Sequence, residues 1–179
     1  IFIVQARPET VQAEAARGAL RSYTLGRKGR LLLEGSAIGD AIASGPACLI
    51  DSAERIDSFV SGSVLVTTTT DPDWVPIMKR AAAIVTDHGG RTSHAAIVSR
   101  ELGVPAVVGA SGATETLNAG QVVTVSCAEG DRGFIYEGAA EFEIEDIDLG
   151  GLPKTRTQVM LNFANPAAAN AWWGVAAAD

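Results

Sequence analysis

The stretch AIVTDHGGRTSHAAIVSRELGVPAVVG, residues Ala83–Gly109, decides how the rest of the chain is arranged. It predicts a short buried strand, a glycine turn, a helix and a second buried strand. The β-branched run Ile84–Thr86 favours the first strand, because such side chains fit a pleated, buried surface. Gly89 and Gly90 then permit backbone angles that other residues resist, so the chain can turn sharply here.

The helix predicted after this turn has start and stop signals of its own. Thr92 or Ser93 can act as the N-terminal cap, and the helix ends near Gly103. His94 therefore falls in the first helical turn, beside free backbone N–H groups and the positive end of the helix dipole. From the residues alone we infer a neutral imidazole nucleophile, which takes a phosphoryl group and holds it at the helix N-terminus.

Two other interpretations of these residues stay open. A histidine near a helix start is often a surface residue or a satisfied packing residue. His88 and His94 could also ligate a metal together with Cys48 and Cys127, although no pair has the close spacing of zinc-binding motifs. His88 lies in the turn itself, where it either lines the site or is a plain loop residue.

Length and composition exclude several classes of protein. The 179 residues suffice for one domain of ordinary size with flanking pieces, and the start at Ile1 suggests a part of a longer protein. No stretch has the length and apolarity of a membrane span, and no signal peptide opens the chain. Two cysteines far apart give no disulfide framework, which predicts a reducing, cytoplasmic compartment. The net charge of −7 argues against a nucleic-acid partner.

An alternation of strands and helices over residues 63–109 predicts a parallel layer with right-handed crossovers. The helix between the first two strands begins at Asp71 or Asp73, either of which can cap it. In open α/β sheets, sites lie beyond the carboxyl ends of the strands. Thr67–Thr70 and Asp87–His94 both follow strands there, so we expect these two segments to converge on one ligand.

The remaining strand signals predict a second, antiparallel layer. Leu31–Gly35 and Gly45–Ile50 flank a small-residue turn, and Gln121–Tyr136 has a strong hairpin signal around its central glycine. A short helix is predicted at Ala113–Leu117. The expected fold is α/β: a three-layer β/β/α domain with a parallel central layer, an antiparallel second layer and helices on one outer side.

The flanks of this domain differ from it in composition. Residues 22–30 are polar and basic, a pattern typical of a solvated linker or of a segment near nucleotide phosphates. Residues 137–148 carry six acidic side chains and no basic one, and we expect another exposed linker there. Outside these segments we predict a strand at 1–4, a helix at 11–20, a strand at 159–163 and a helix from 165.

The motif Gly89–Ala96, followed by Arg100–Gly109, resembles the phosphohistidine domain of phosphoenolpyruvate-utilising enzymes. The segments Thr70–Ala81 and Val123–Asp131 resemble most the members that make phosphoenolpyruvate from pyruvate and ATP. The resemblance implies four parts in this chain. They are the tail of an ATP-grasp nucleotide domain with its linker (1–25), the swivelling phosphohistidine domain (26–140), a linker (141–157) and the start of a TIM barrel that binds phosphoenolpyruvate or pyruvate (158–179).

The same resemblance implies how the chain would work. ATP phosphorylates His94, with AMP and phosphate as products, and the phosphohistidine then phosphorylates pyruvate. ATP and Mg²⁺ belong to the full-length enzyme: Gln5 and Arg7 match its ATP-site tail, while the carrier domain has no metal site and the fragment alone is not expected to complete the reaction. The partners are the ATP-grasp and TIM-barrel domains of the same polypeptide.

Five further residues are implied to support or regulate the histidine. Thr92 matches the threonine that a regulatory kinase/phosphorylase modifies in some relatives, where a dianion two residues before His94 would repel incoming phosphate. The supporting residues are Gly89, Gly90, Arg91 and Ser93. Position 93 is cysteine in some relatives, and no role is carried over to His88. Three alternatives stay open. The chain could be the carrier domain of a pyruvate phosphate dikinase, the carrier domain of a rifampin phosphotransferase, or a stand-alone phosphocarrier module without catalysis.

Overall fold

The computed structural model describes residues 19–148, and the side chains of residues 21–146. Residues 22–145 form one compact unit, whereas residues 19–21 and 146–148 are assigned to a second unit. Several predictions fall outside the described residues: the strand at 1–4, Gln5 and Arg7, and the strand and helix after 158. The helix predicted over 11–20 also lies outside them except for residues 19 and 20, which are in a strand instead.

The described residues form nine strands, three α-helices and two short 3₁₀ turns. The strands are Ala19–Leu25 (β1), Leu31–Ile38 (β2), Ile42–Leu49 (β3), Val64–Thr67 (β4), Ala83–Thr86 (β5), Ala106–Val108 (β6), Val122–Ser126 (β7), Arg132–Glu137 (β8) and Phe142–Asp148 (β9). The helices are Val75–Met78 (α1), His94–Leu102 (α2) and Ala113–Thr116 (α3), and the 3₁₀ turns are Ala53–Ser58 and Pro72–Trp74.

Seven strands close into a barrel in the order β2-β6-β5-β4-β3-β7-β8. The neighbours β3, β4, β5 and β6 run parallel. This confirms the prediction for residues 63–109, which contain β4, β5 and β6, and adds β3 to the parallel strands. The pairs β2–β6, β2–β8, β3–β7 and β7–β8 are antiparallel, which confirms the hairpin predicted around Gly130. The mixed α/β class is therefore correct, but the two predicted layers are joined along both edges into one barrel.

Alternate residues of the strands face two different apolar clusters. The inner cluster takes residues from all seven barrel strands, among them Val66 of β4, Val85 of β5 and Val107 of β6. The outer cluster takes the intervening residues, such as Leu65 and Ile84, and covers them with α1 and α2. Strands that are apolar on both faces are typical of parallel sheets covered by helices. Each such buried side chain contributes about 1.5–3 kcal/mol.

The helix α3 departs from the prediction that all helices lie on one outer side. Its Ala113 and the following Leu117 belong to the inner cluster, together with Val66 and Val85. The helix therefore packs against the barrel interior, whereas α1 and α2 cover the outer faces of the parallel strands.

The two predicted linkers need correction. Residues 19–25 and 142–148 form a two-stranded sheet, β1 with β9, and the rings of Tyr23 and Phe142 lie 6.4 Å apart. Residues 26–30 are joined to the domain by backbone bonds: Gly26 N–H donates to the carbonyl of Glu141 at 2.8 Å, and Glu137 N–H to that of Arg30 at 2.9 Å. The polar composition of these segments reflects a solvated strand pair instead of an unstructured linker.

Candidate functional site

The helix α2 begins at His94, and Ser93 is its N-terminal cap. Ser93 has extended backbone angles, and its side-chain oxygen accepts the N–H of Ala96 at 3.4 Å. Of the two capping candidates in the sequence, the structure thus selects Ser93. The helix ends at Gly103, whose φ of +68° is the left-handed conformation that glycine adopts readily.

The glycine turn before the helix depends on one of its two glycines. Gly89 has a φ of +114°, and a Cβ there would lie 2.9 Å from the Ser93 Oγ. Gly109, directly after β6, approaches the same turn: a Cβ added at this position would lie 2.8 Å from the Gly89 carbonyl oxygen. Gly90 has neither constraint. The turn is therefore shaped for a residue without a side chain at Gly89.

The imidazole of His94 meets a side chain from a different part of the sequence. The Thr70 Oγ1 lies 2.9 Å from His94 Nδ1. Thr70 follows β4 and His94 follows β5, so the predicted convergence of the two strand ends is confirmed. Backbone bonds hold the segments side by side: Asp87 N–H donates to the Thr67 carbonyl at 3.1 Å, and His88 N–H to that of Thr68 at 3.0 Å.

This contact gives one ring nitrogen of His94 a partner and leaves the other without one. When the Thr70 hydroxyl accepts a hydrogen bond from Nδ1–H, the neutral His94 ring keeps a free lone pair on Nε2. Within residues 19–148, Nε2 has no hydrogen-bond partner, and neither do the backbone N–H groups of His94 and Ala95. His94 thus combines an unpaired ring nitrogen with unpaired backbone donors at a helix N-terminus, a position that favours a bound anion.

A buried carboxylate anchors the start of the turn. Asp87 is 5% exposed, and its two oxygens accept the N–H of Thr114 at 3.0 Å and the Thr114 hydroxyl at 2.5 Å. These bonds tie the residue after β5 to the first turn of α3. A hydrogen bond to a charged group is worth about 1.5–3 kcal/mol. The sequence analysis gave Asp87 no role, although its position directly after a buried strand was a usable signal.

Two arginines lie on the solvent side of the turn, and one of them bonds its backbone. A hydrogen bond of 2.9 Å from Ser93 N–H to the Gly90 carbonyl closes the turn, which places Arg91 at its tip. The Arg91 Nη2 donates to the carboxylate of Asp131 at 2.8 Å. Arg100, on α2, reaches back and donates to the Arg91 carbonyl at 2.8 Å. Thr92 is exposed beside them.

The four residues of the metal hypothesis do not come together. Cys127 belongs to the inner cluster and Cys48 packs against the outer one, while His88 is an exposed turn residue. Burial raises the pKa of the Cys127 thiol to about 11, so this sulfur is a neutral packing group at neutral pH. Within residues 19–148, no three His, Cys, Asp or Glu side chains lie close enough to hold a metal ion.

The basic segment before β2 pairs with carboxylates of the domain. Lys28 Nζ donates to Glu129 at 3.1 Å and to the Tyr136 hydroxyl at 3.0 Å, and these bonds raise the pKa of Lys28. Arg30 donates to Glu137 at 3.3 Å. Both cations of this segment are thus paired with acidic side chains of the domain.

In the described part of the chain, no helix has the length and apolarity needed to cross a membrane.

Comparison with known proteins agrees with this site. Residues 59–130, which include the whole glycine turn and α2, match the family described as "PEP-utilising enzyme, mobile domain". This match is to the same family that the resemblance of the Gly89–Ala96 motif implied.

The similar proteins extend the match over nearly the whole chain. The phosphoenolpyruvate synthase of Aquifex aeolicus is 50% identical over 174 residues, which cover 94% of this chain and 20% of that protein. The phosphoenolpyruvate synthase of Neisseria meningitidis is 53% identical over 167 residues, which cover 93% and 21%. The chain therefore spans about a fifth of the length of these relatives. A solution NMR structure of Enzyme I is 34% identical with a TM-score of 0.38, and the match covers 45% of this chain and 33% of that one.

Proposed function

We propose that this chain is the phosphoryl-carrier part of a phosphoenolpyruvate synthase and that Nε2 of His94 carries the phosphoryl group. The observation that carries the proposal is the 2.9 Å contact between Thr70 Oγ1 and His94 Nδ1 at the first residue of α2. It occupies Nδ1 and leaves Nε2 without a hydrogen-bond partner among residues 19–148. The roughly 50% identity to phosphoenolpyruvate synthases supports the same reaction for the full-length protein.

The chemistry needs two transfers at the same nitrogen. In the first, the Nε2 lone pair attacks the β-phosphorus of ATP, the bond from that phosphorus to the α-phosphate oxygen breaks, and AMP leaves with the electron pair. Water then attacks the terminal phosphorus of the pyrophosphoryl group, its bond to the bridging oxygen breaks, and phosphate leaves, so that one phosphoryl group stays on Nε2. In the second, the enolate oxygen of pyruvate attacks the phosphorus and the phosphorus–nitrogen bond breaks, which restores the imidazole. With one water consumed, the sum is ATP + pyruvate + water to AMP + phosphoenolpyruvate + phosphate.

Thr70 can serve both states of the ring. Its hydroxyl accepts from Nδ1–H while Nε2 is the nucleophile. Once Nε2 carries phosphate and Nδ1 has lost its proton to solvent, the same hydroxyl can rotate and donate to Nδ1. A threonine or serine therefore suits this position better than a residue that can only accept or only donate.

The proposal includes movement of the domain between two reaction sites. Residues 26–140 would be the swivelling domain, with β3–β6 as its parallel layer, the antiparallel strands as the second layer, and α1 and α2 outside. Residues 1–25 would complete an ATP-grasp domain, residues 141–157, which include β9, would connect the domains, and residues 158–179 would begin the pyruvate-binding barrel. ATP and Mg²⁺ would be bound mainly outside residues 19–148, with Gln5 and Arg7 approaching the ATP phosphates, in a cytoplasmic enzyme.

Thr92 would be the regulatory position of this carrier. It is exposed, and it lies two residues before His94 in the turn that Ser93 closes. A phosphate on Thr92 adds a charge of about −1.5 to −2 beside the nucleophile, which would repel an anionic phosphoryl donor. A kinase/phosphorylase acting on Thr92 would therefore switch the carrier off without changing its fold.

The test is turnover of the full-length protein with ATP and pyruvate. We expect phosphoenolpyruvate, AMP and phosphate in equal amounts, and no product from His94→Ala. His88→Ala is the matched control, because it removes the other histidine of the chain and should keep turnover. Turnover retained by His94→Ala would overturn the assignment. Phosphate-dependent turnover that releases pyrophosphate would identify a dikinase instead.

A further inference from the structure

Arg91 lies in the same turn as the nucleophile, but its side chain is not needed to hold that turn. The Ser93 N–H, the Ser93 hydroxyl and Arg100 already hold this backbone, through bonds to the Gly90 carbonyl, to Ala96 and to the Arg91 carbonyl. None of these bonds uses the guanidinium of Arg91. Its position can therefore change without disturbing the turn.

The present partner of that guanidinium is weakly bound. The Arg91 and Asp131 side chains are 53% and 82% exposed and meet through a single nitrogen–oxygen contact of 2.8 Å. Exposed ion pairs of this kind contribute about 0.2–1 kcal/mol. Arginine has five N–H donors and pairs with phosphate through two parallel hydrogen bonds, which are stronger than a single contact to a solvated carboxylate. A dianionic group within reach would displace Asp131.

We propose that Arg91 leaves Asp131 when His94 is phosphorylated and binds the phosphoryl oxygens on Nε2. This inference rests on the proposed function of His94. Arg91 lies three residues before His94, at the tip of the same turn. Arg100 is the other cation of the turn, but its guanidinium is bound to the Arg91 carbonyl. Asp131 is thereby a competing carboxylate, held in place by its own backbone carbonyl, which accepts the N–H of Ala37 at 3.0 Å.

The exchange of partners gives Arg91 a different task in each state. Without phosphate on His94, Asp131 neutralises the guanidinium and keeps it available beside the turn. With phosphate present, the guanidinium offsets part of the dianion's charge, which the two unpaired N–H groups at the helix start cannot offset alone. Asp131 therefore sets how strongly Arg91 binds the phosphoryl group, because the carboxylate and the phosphate compete for one cation.

The test uses the 179-residue chain and potassium phosphoramidate as the phosphoryl donor. Nε2 attacks the phosphorus, the phosphorus–nitrogen bond of the reagent breaks, and ammonia leaves. The adduct is located by mass spectrometry, and its ³¹P resonance is titrated with pH. A nearby cation favours the dianion, so Arg91→Gln should raise the titration midpoint by about half a unit or more. Asp131→Asn should lower it, because Arg91 then has no competing partner.

Arg30→Gln is the matched control. It removes the same charge from another exposed arginine, whose partner Glu137 lies at the opposite end of β8 from Asp131. Its midpoint should equal that of the unchanged chain. An adduct on His94 with an unchanged midpoint in Arg91→Gln would overturn the role of Arg91 alone. Failure of His94 to take up phosphate, with uptake on another residue, would overturn the proposed function as well.

Discussion

The hydroxyl of Thr70 and the Nδ1 of His94, 24 positions apart in the sequence, lie 2.9 Å from each other. Each follows a parallel strand, and the two strands are direct neighbours in the barrel. Thr70 is only 7% exposed, so its hydroxyl is directed to the ring with little competition from water. This pair connects the fold to the chemistry, because the parallel register brings the orienting group to the nucleophile.

Replacing Thr70 tests this orientation directly. Thr70→Val keeps the shape of the side chain but removes the hydroxyl that selects the Nδ1–H tautomer. A hydrogen bond of this kind is worth about 0.5–1.5 kcal/mol, so phosphorylation of His94 should slow by about 2- to 10-fold. Thr70→Ser retains the hydroxyl and should stay close to the unchanged rate. The rates follow from quenched time points by phosphopeptide mass spectrometry. Equal rates for valine and serine would contradict the tautomer argument.

The two glycines of the turn should respond very differently to alanine. Gly89→Ala places a Cβ 2.9 Å from the Ser93 Oγ at a φ of +114°, which strains the turn and displaces the helix cap. We expect a loss of about 1–3 kcal/mol in the free energy of unfolding. Gly90→Ala meets no atom within 4 Å and should change stability by less than about 0.5 kcal/mol. Urea unfolding of both variants measures the difference, and similar losses would contradict this account.

Ser99 offers a way to stabilise the domain. Its side chain is fully buried on α2, and its hydroxyl has no hydrogen-bond partner among the described residues. Ser99→Ala removes an unsatisfied polar group and introduces a better helix former, so the free energy of unfolding should rise by about 1 kcal/mol. Ser44→Ala is the opposite case, since its hydroxyl lies 2.8 Å from that of Thr124, and it should be destabilising. Thermal unfolding of both variants checks the signs.

The buried thiol of Cys127 predicts a loss of stability in base. Its pKa is about 11 in the folded domain against 9.0 for an ordinary thiol. Because the pKa is raised in the folded state, the thiol makes its full contribution to the free energy of unfolding below pH 9. That contribution is lost as the pH rises toward 11. By pH 10.5 this linkage should remove about 2 kcal/mol.

Cys127→Ala separates this thiol from the other titrating groups. The raised pKa values of Lys28 and Tyr136 act in the same direction, but they are common to both proteins. Urea unfolding at pH 8.5 and pH 10.5 should therefore show a smaller loss for Cys127→Ala, even if that variant starts less stable. Equal losses in the two proteins would contradict the burial argument.

Local signals in the sequence were sufficient for the elements that form the site. The glycine turn, the start of α2 near Ser93 and its end at Gly103 all depend on residues within a few positions of each other. The parallel arrangement of β4 and β5 was also predictable, because the alternation of strands and helices implies that successive strands are parallel neighbours. Which of the three threonines after β4 would meet His94 was not predictable, since that depends on the path of the loop.

Long-range pairing explains what the sequence analysis missed. The barrel closes because β2 pairs with both β6 and β8, and no local sequence pattern predicts these two pairings. The strand β9 was missed because six acidic residues suggested a linker. Its alternation of Phe142 and Ile144 with acidic residues was a strand signal of period two that composition obscured.

Transfer of labelled phosphate from phosphoenolpyruvate to the full-length protein tests the central claim most directly. Trypsin cleaves after Arg91 and Arg100, so the peptide Thr92–Arg100 contains His94 but not His88. The account predicts an adduct on His94 in this peptide that is labile in acid and stable in base. An acid-stable adduct on Ser93, or label confined to the peptide that contains His88, would contradict it.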